Sequence, residues 1–477
     1  MAHTLNVRAP RARTPRVPTK RFCQQYEELD RLQVVHAHAA GIDIGGALSH
    51  FVAIEIRPGV IEVREYGCNT EDLIKLREYL VAHQITTVAL ESTGVYWVPV
   101  FDLLTEVGIE VCLVNPSHVK NVPGRRKDDK LDCKWLLKLH IYGLLSASFR
   151  PSAQILPLRT IWRVRQQLIE MQADEIRRMQ KAFDEMNVRV HKVISDLAGV
   201  TGQAIITAIL AGERDPAVLA TYRDHRIACS EEELRQALVG HYRAEILFVL
   251  QLAHARFLKL REQVAQCDAE VEGLLKGLLP LEDDDIAAKV QAAGTPRPLT
   301  ATAVRQHLPA DDLEQDVSLA LGCDATVIPG LGPVLVMTLL SELGLDMSQW
   351  KDVKHFGSYL ILAPKHDISG GKILSKKTRK SALRAAAAFR QAAASAAKTD
   401  TALGACFRRL AARIGPAKAN TATAYKIARL YYNLLRYGQA YVEIGAAIYE
   451  EQYRVQQLKR LEKHAKAFGY QVVPMAA

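Results

Sequence analysis

Between residues 39 and 150 short apolar runs alternate with amphipathic stretches in one particular order, and that order restricts the fold more than any other feature of the chain. "AGIDIGGALSHFVAIEI" reads as a strand, a glycine turn and a second strand, and "VIEVREY" as a third. "TEDLIKLREYLVAH" has helical periodicity, "ITTVALE" is a fourth strand, "VYWVPVFDLLTEVG" a helix and "IEVCLVN" a fifth strand. Helices at "PSHVKNV" and "KLDCKWLLKLHIYGLL" close the unit. Three strands linked by tight turns, then β-α-β alternation, imply a mixed sheet with helices packed on it, an α/β domain over 39–150.

An all-α region follows. Ile176, Met179, Phe183, Met186, Val190, Val193 and Leu197 step by threes and fours, as do Leu250, Ala253, Phe257, Leu260, Val264, Cys267, Val271, Leu274 and Leu278. Such steps hold one apolar seam along each helix, so residues 151–290 are expected to form an antiparallel coiled-coil module, with a smaller helical piece at 198–245. The pairing is open between one chain and two. "LEDDD" and "GTPRPLT" mark linker character, and 291–325 reads as a linker or insertion. A compact helical domain is expected over 326–465 and a tail over 466–477. Residues 1–38, beginning with "RAPRARTPRVPTKR" after a short lead, read as a basic flexible arm.

The 477 residues carry a formal net charge of +10, which favours a polyanionic partner: nucleic acid first, an anionic membrane surface second. No window approaches the roughly 18 apolar residues of a membrane span, and the expectation is a soluble, cytoplasmic, nucleoid-associated protein without a membrane partner. The eight cysteines are scattered with no CxxC pair, which argues against both a zinc site and a disulfide framework.

Four carboxylates stand out. Asp43 lies inside the first strand between Ile42 and Ile44, Glu91 ends the fourth, and Asp129 and Asp132 sit in "RRKDDKLDCKWL". A charged Asp in a sheet is costly unless compensated, for example by a cation at the sheet edge. Three residues of helix put Asp129 and Asp132 on one face. Together the four have the chemistry to hold two Mg²⁺ ions roughly 4 Å apart, the arrangement that stabilises both the attacking and the leaving oxygen of a phosphodiester. Each also admits a local role: Asp43 at a turn before Gly45 and Gly46, Glu91 as a helix cap, Asp129 as a complement to a helix dipole.

In "IPGLGPVLVMTLL", Gly330 and Gly332 allow backbone amides close to a phosphate and Pro333 suits the first turn of a helix, in the manner of a helix-hairpin-helix; a tight inter-helix turn explains the stretch equally well. "LAGVTGQAIITAILAGERD" echoes it. In "HDISGGKILSKKTRK", Ser369 precedes Gly370 and Gly371, a pair that permits a strained turn with an exposed hydroxyl. Lys372, Lys376, Lys377, Arg379, Lys380 and Arg384 follow at spacings that put several on one helical face, suited to neighbouring phosphates. A capping serine with solvated cations is the plain alternative. Tyr425, Tyr431 and Tyr432 either stack on bases or fill core, with core favoured for at least two.

"GIDIG", "LESTGVYW", "RRKDDKLDC", "IPGLGP" and "ISGGKILSKKTRKSALR", in that order, resemble the insertion-sequence transposases that couple a RuvC-like, RNase-H-fold DEDD domain to a C-terminal serine domain; Piv-type DNA invertases are similar. The resemblance covers about 39–465. Asp128 and Asp129 both fall near the face of Asp132, and the family register takes Asp129. The resemblance implies Asp43, Glu91, Asp129 and Asp132 as Mg²⁺ ligands, Ser369 as a nucleophile forming a covalent link to DNA, donor and target DNA as partners, a homo-oligomer (dimer or tetramer) in which Ser369 reaches another subunit's metal site, and in some members a structured bridge RNA as guide. The expected activity is DNA strand cleavage and exchange. A metal-dependent nuclease of Holliday-junction type using water, and a non-enzymatic nucleic-acid-binding protein, are the alternatives.

Overall fold

The computed structural model describes residues 33–45, 49–92, 94–115, 128–278, 313–364, 367–370, 372–375 and 381–473. The expected arm before 33, the helix at 116–122, the linker at 291–312 and the cations at 376–380 lie outside these residues. The chain divides into two compact units, Met1–Arg150 and Pro151–Ala477, each described by itself.

The first unit is a five-stranded mixed sheet with strand order β3-β2-β1-β4-β5. β1 (Ala39–Ile44), β2 (Ser49–Arg57) and β3 (Val60–Gly67) form an antiparallel meander; β4 (Thr87–Glu91) and β5 (Glu110–Val114) add in parallel beside β1. Parallel neighbours need crossovers, and α1 (Thr70–Ala82) and α2 (Trp97–Glu106) supply them. These helices cover one face through Ile42, Ile44, Val52 and Ile54, which alternate along β1 and β2 and pack against Leu73, Leu76, Leu80, Val100 and Leu104.

The opposite face is covered by α3 (Asp129–Ile141), which buries Cys133, Leu137 and Ile141 on Ala39 and Ala53, and Trp135 and Leu136 on Ala89 and Val114. At its far end His140 Nε2 meets Thr87 Oγ1 at 2.9 Å and the ring stacks on His36 at 4.7 Å. Val35 and His36 donate their backbone N–H groups to the Ile141 carbonyl at 2.8 and 3.0 Å, so the end of the expected arm is pinned to the domain.

Burial, with a smaller contribution from His36, lowers the pKa of His140 from 6.5 to about 4. The unfolded chain takes up this proton near 6.5 and the folded one only near 4, so the stabilisation from neutral His140 is complete above 6.5 and drains away as pH falls through that window. The expected loss is on the order of 2 kcal/mol. Denaturant unfolding from pH 7 to 4 checks it: His140→Gln should flatten the slope, and an unchanged slope would contradict the assignment.

In the second unit α4 (Ile155–Glu185) and α9 (Ala244–Lys276) lie side by side. Arg165 pairs with Asp268, and Glu175 with Arg256; positions rise along one helix as they fall along the other, so the pair is antiparallel and intramolecular. Of the predicted α9 seam, Leu250, Ala253, Phe257, Leu260 and Val271 are buried, while Val264, Cys267 and Leu274 are half-buried and Leu278 lies past the helix end. The α4 seam ends sooner than its spacing predicts. Asn187 adopts a left-handed conformation (φ 57°), and the chain turns into α5 (Val190–Val193). Val190 and Leu197 still reach the same core, joined by α6 (Val200–Leu210), α7 (Pro216–Ala220) and α8 (Glu231–Ala237).

The C-terminal part contains α10 (Leu313–Leu321), α11 (Pro333–Leu343), α12 (Val353–Tyr359), the hairpin β6 (Asp367–Ser369) and β7 (Lys372–Ser375), α13 (Arg384–Ala396), α14 (Ala402–Ile414), α15 (Pro416–Tyr437) and α16 (Gly445–Ala467). It packs on α4: Trp162 Nε1 donates to Thr338 Oγ1 at 2.9 Å, and Arg163 grips the Glu342 carboxylate with two bonds of 2.7 Å. Tyr431 and Tyr432 are fully buried among Phe356 and Phe389, and Tyr425 is half-buried with its ring against Gly357, so core filling accounts for the tyrosines. Among the described residues no helix is long and apolar enough to cross a membrane.

Candidate active site at the carboxyl edge of the sheet

Asp43 and Glu91 are brought together by register. β1 and β4 run parallel with Gly41 opposite Ala89 and Ile42 opposite Leu90, so the next step sets Asp43 opposite Glu91 at the carboxyl ends of both strands. Side chains alternate along a strand, and Gly41 and Ala89 face α3; two residues on, Asp43 and Glu91 leave the sheet on that same side.

The first turn of α3 arrives at the same edge. A Cβ on Gly41 would stand 2.4 Å from Leu137 N and 2.5 Å from the Cys133 carbonyl oxygen, so the helix backbone lies directly on β1. Its C-terminal end is held to the start of β4 by His140 and Thr87. Eight helical residues from His140 back to Asp132 cover about 12 Å. Four strand residues from Thr87 to Glu91 cover about 13 Å. Asp132 therefore stands level with Glu91, and Asp129 one turn further out.

Burial above all, and then the charge of Asp43, push the Cys133 thiol up to about 12, which places Asp43 beside this part of α3. Asp128 is the N-cap of α3 and accepts from Lys130 N at 3.1 Å, so its carboxylate closes the helix end, while Asp129 occupies the first helical position.

The four carboxylates differ in exposure: Glu91 is buried, Asp43 and Asp132 half-buried, Asp129 exposed. Among the described residues no three His, Cys, Asp or Glu side chains converge as a ready metal cluster. The structure thus brings the four to one edge without the closed cradle that their spacing predicts; Asp129, exposed in the first turn, lies where it complements the helix dipole. In donor chemistry the set fits a hard divalent cation, for which carboxylate oxygens are the usual protein ligands.

Ser369 occupies the last position of β6, paired with Lys372 across a two-residue glycine turn. Gly370 has φ 54°, in the left-handed region such turns demand, and both Ser369 and Gly370 are exposed. The expected turn is present, and its glycine takes the left-handed conformation without strain. Of the cations expected on one helical face, Lys372 belongs instead to β7, because the glycine turn returns the chain as a strand. Arg384 opens α13 and reaches Gln166 Oε1 at 3.3 Å. Lys376, Lys377, Arg379 and Lys380 lie outside the described residues.

Of the two hairpin glycines, Gly330 (φ 94°) packs hard on α13, where a Cβ would meet the Ala392 carbonyl oxygen at 2.1 Å; a close inter-helix turn explains it. Gly332 caps α11 and faces open space. Gly41 and the His140–Thr87 tether escaped the reading of the sequence. A glycine inside a strand is itself the signal that another backbone comes near.

Two family models match the chain. Residues 40–188 match an IS110-type DEDD transposase domain, described as a transposase, and residues 325–407 match the model described as the transposase IS116/IS110/IS902 family. The first spans the sheet and α4; the second runs from the turn before α11 through the Ser369 hairpin into α14. No curated protein matches.

Proposed function

Proceeding from a chain that carries two IS110-type transposase domains, and hence from an enzyme acting as a DNA transposase or recombinase, we propose that the carboxyl edge of the sheet is where DNA strands are cut and that Ser369 is the attacking group. What supports this is the parallel β1–β4 register, which ends at Ile42–Leu90 and leaves Asp43 and Glu91 as the next residues of the two strands, with the acidic first turn of α3 beside that edge. The strand order agrees with an RNase-H-like domain.

Asp43, Glu91, Asp129 and Asp132 would hold divalent cations, typically Mg²⁺. When bound, these supply charge stabilisation to a phosphodiester and lower the pKa of a coordinated hydroxyl. The chain's own part is to present Ser369 Oγ on a hairpin tip clear of the fold. The Oγ–phosphorus bond forms as the phosphorus–sugar oxygen bond breaks, and the serine proton passes by way of a base to the leaving sugar oxygen, which departs as a hydroxyl. A second strand's hydroxyl then attacks the phosphoserine and regenerates the serine, so the bond is conserved without ATP. The resemblance adds a homo-oligomer and a structured guide RNA to the proposal; a discrete RNA co-purifying with the protein would support the latter.

The DEDD match also favours a second reading, in which water attacks and Ser369 is structural. Denaturing gels of reactions on labelled DNA separate the two. Ser369→Ala is expected to abolish the protein–DNA adduct and strand exchange. Full cleavage by that variant would establish the hydrolytic route instead.

A further inference from the structure

The segment that joins β4 to α2 stands at the edge where Asp43 and Glu91 end their strands, because a crossover between parallel strands starts from the carboxyl end of the first. It reads "ESTGVYW", and after Glu91 it holds no charged residue. The segment therefore has no cation to offer a phosphate backbone. What it presents to solvent is apolar: Val95 is 73% exposed and Tyr96 50%.

Single exposed tyrosines are common on protein surfaces; this one sits on a fixed base. Ser92 is tied to the end of β5, its N–H and Oγ both donating to the Val114 carbonyl, at 2.9 and 3.1 Å. Gly94 takes a left-handed turn (φ 56°), and the Trp97 indole Nε1 donates to its carbonyl at 3.0 Å. Trp97 meets Phe101 edge-on at 5.7 Å. The Arg150 guanidinium, bonded to Asp102 at 3.0 Å, lies 4.0 Å from the Phe101 ring centre and 5.2 Å from that of Trp97. The Tyr96 ring lies beside Gly94, where an added Cβ would meet its edge at 3.3 Å. The backbone that carries the ring is thus fixed before any contact is made.

We propose that Tyr96 is a base-stacking platform for the DNA strand at the carboxylates. This rests on the reading of the edge as the cutting site. α3 brings its acidic turn to one face of the sheet at that edge and α2 starts on the other face, so a strand laid along the edge can turn its phosphate to the acids and a base to Tyr96. The chain from Glu91 to Tyr96 reaches at most about 18 Å, which limits the base to one within a few nucleotides of the scissile phosphate. Every base has a π-face, so the contact fixes position along the strand without selecting sequence.

DNA affinity of the full chain tests this, measured in the Asp43→Asn background so that the strand stays uncut. The probe is DNA that the wild-type protein cuts, with the cut position mapped on denaturing gels, either intact or with one abasic site placed at each neighbouring nucleotide in turn. Tyr96→Ala is expected to weaken binding of the intact DNA about tenfold, as loss of one stacked base does, with Tyr96→Phe and Tyr96→Trp close to the parent. At one position the abasic site is expected to cost the parent about the same factor and to cost Tyr96→Ala nothing further, because the same contact is lost either way. A merely structural role would not single out a nucleotide. Unchanged binding by Tyr96→Ala would overturn the proposal, as would a loss shared by Tyr96→Phe or one that adds to every abasic site. Cleavage by Asp43→Asn at the wild-type rate would overturn the reading of the edge, and the proposal with it.

Discussion

Asp43→Asn is expected to cut DNA strand cleavage by at least about a thousandfold while leaving the fold in place. Asparagine keeps the shape of the side chain at the end of β1 and removes only its charge, so the α3 packing two residues earlier at Gly41 is undisturbed. On the proposed reading the loss follows because Asp43 and Glu91, the next residues after the Ile42–Leu90 pair, would share one cation at the ends of adjacent strands. Glu91→Gln should behave alike. A readout independent of turnover is available: Mg²⁺ is expected to raise the melting temperature of the wild-type protein and to do so much less in either variant. Wild-type cleavage by Asp43→Asn would remove the edge from the chemistry.

Gly41→Ala is expected to damage stability and activity together. The added methyl would stand 2.4 and 2.5 Å from backbone atoms of α3, and ordinary contact requires the helix to withdraw by about 1 Å. Overpacking of this kind costs about 1–3 kcal/mol, and a shift of about 1 Å in positioned groups lowers rates on the order of a hundredfold. Since α3 carries Asp129 and Asp132, the displacement moves half of the acidic set relative to the other half. Thermal melting and cleavage rates on the same preparation check both parts. A variant that melts and cuts like wild type would mean that α3 does not rest on β1 in the way described.

The order of strands and helices in the first unit was legible because each element declares its own period: two for β2, near 3.6 for α1. What an isolated period cannot reveal is register. Nothing local to "GIDIG" or "LESTG" says that Asp43 comes to face Glu91; that depends on which strands pair and where they start. The path of α3 is likewise a tertiary fact, set by the Gly41 contact and the His140 tether. The α4 seam was read too far because Val190 and Leu197 enter the same core after the helix has ended, so burial continues across a break at Asn187 that spacing alone does not register. The glycine pair after Ser369 was correctly read as a turn, but a two-residue turn also dictates a returning strand, and that moved Lys372 off the expected helix.

The unbroken run of α4 makes it a strut. Its 31 residues span about 46 Å, with Trp162 and Arg163 clasped to α11 near one end and Met179 and Phe183 set in the distal helical cluster near the other. One continuous helix, braced along its middle by the ion pairs to α9, therefore ties the far cluster to the α11 clasp.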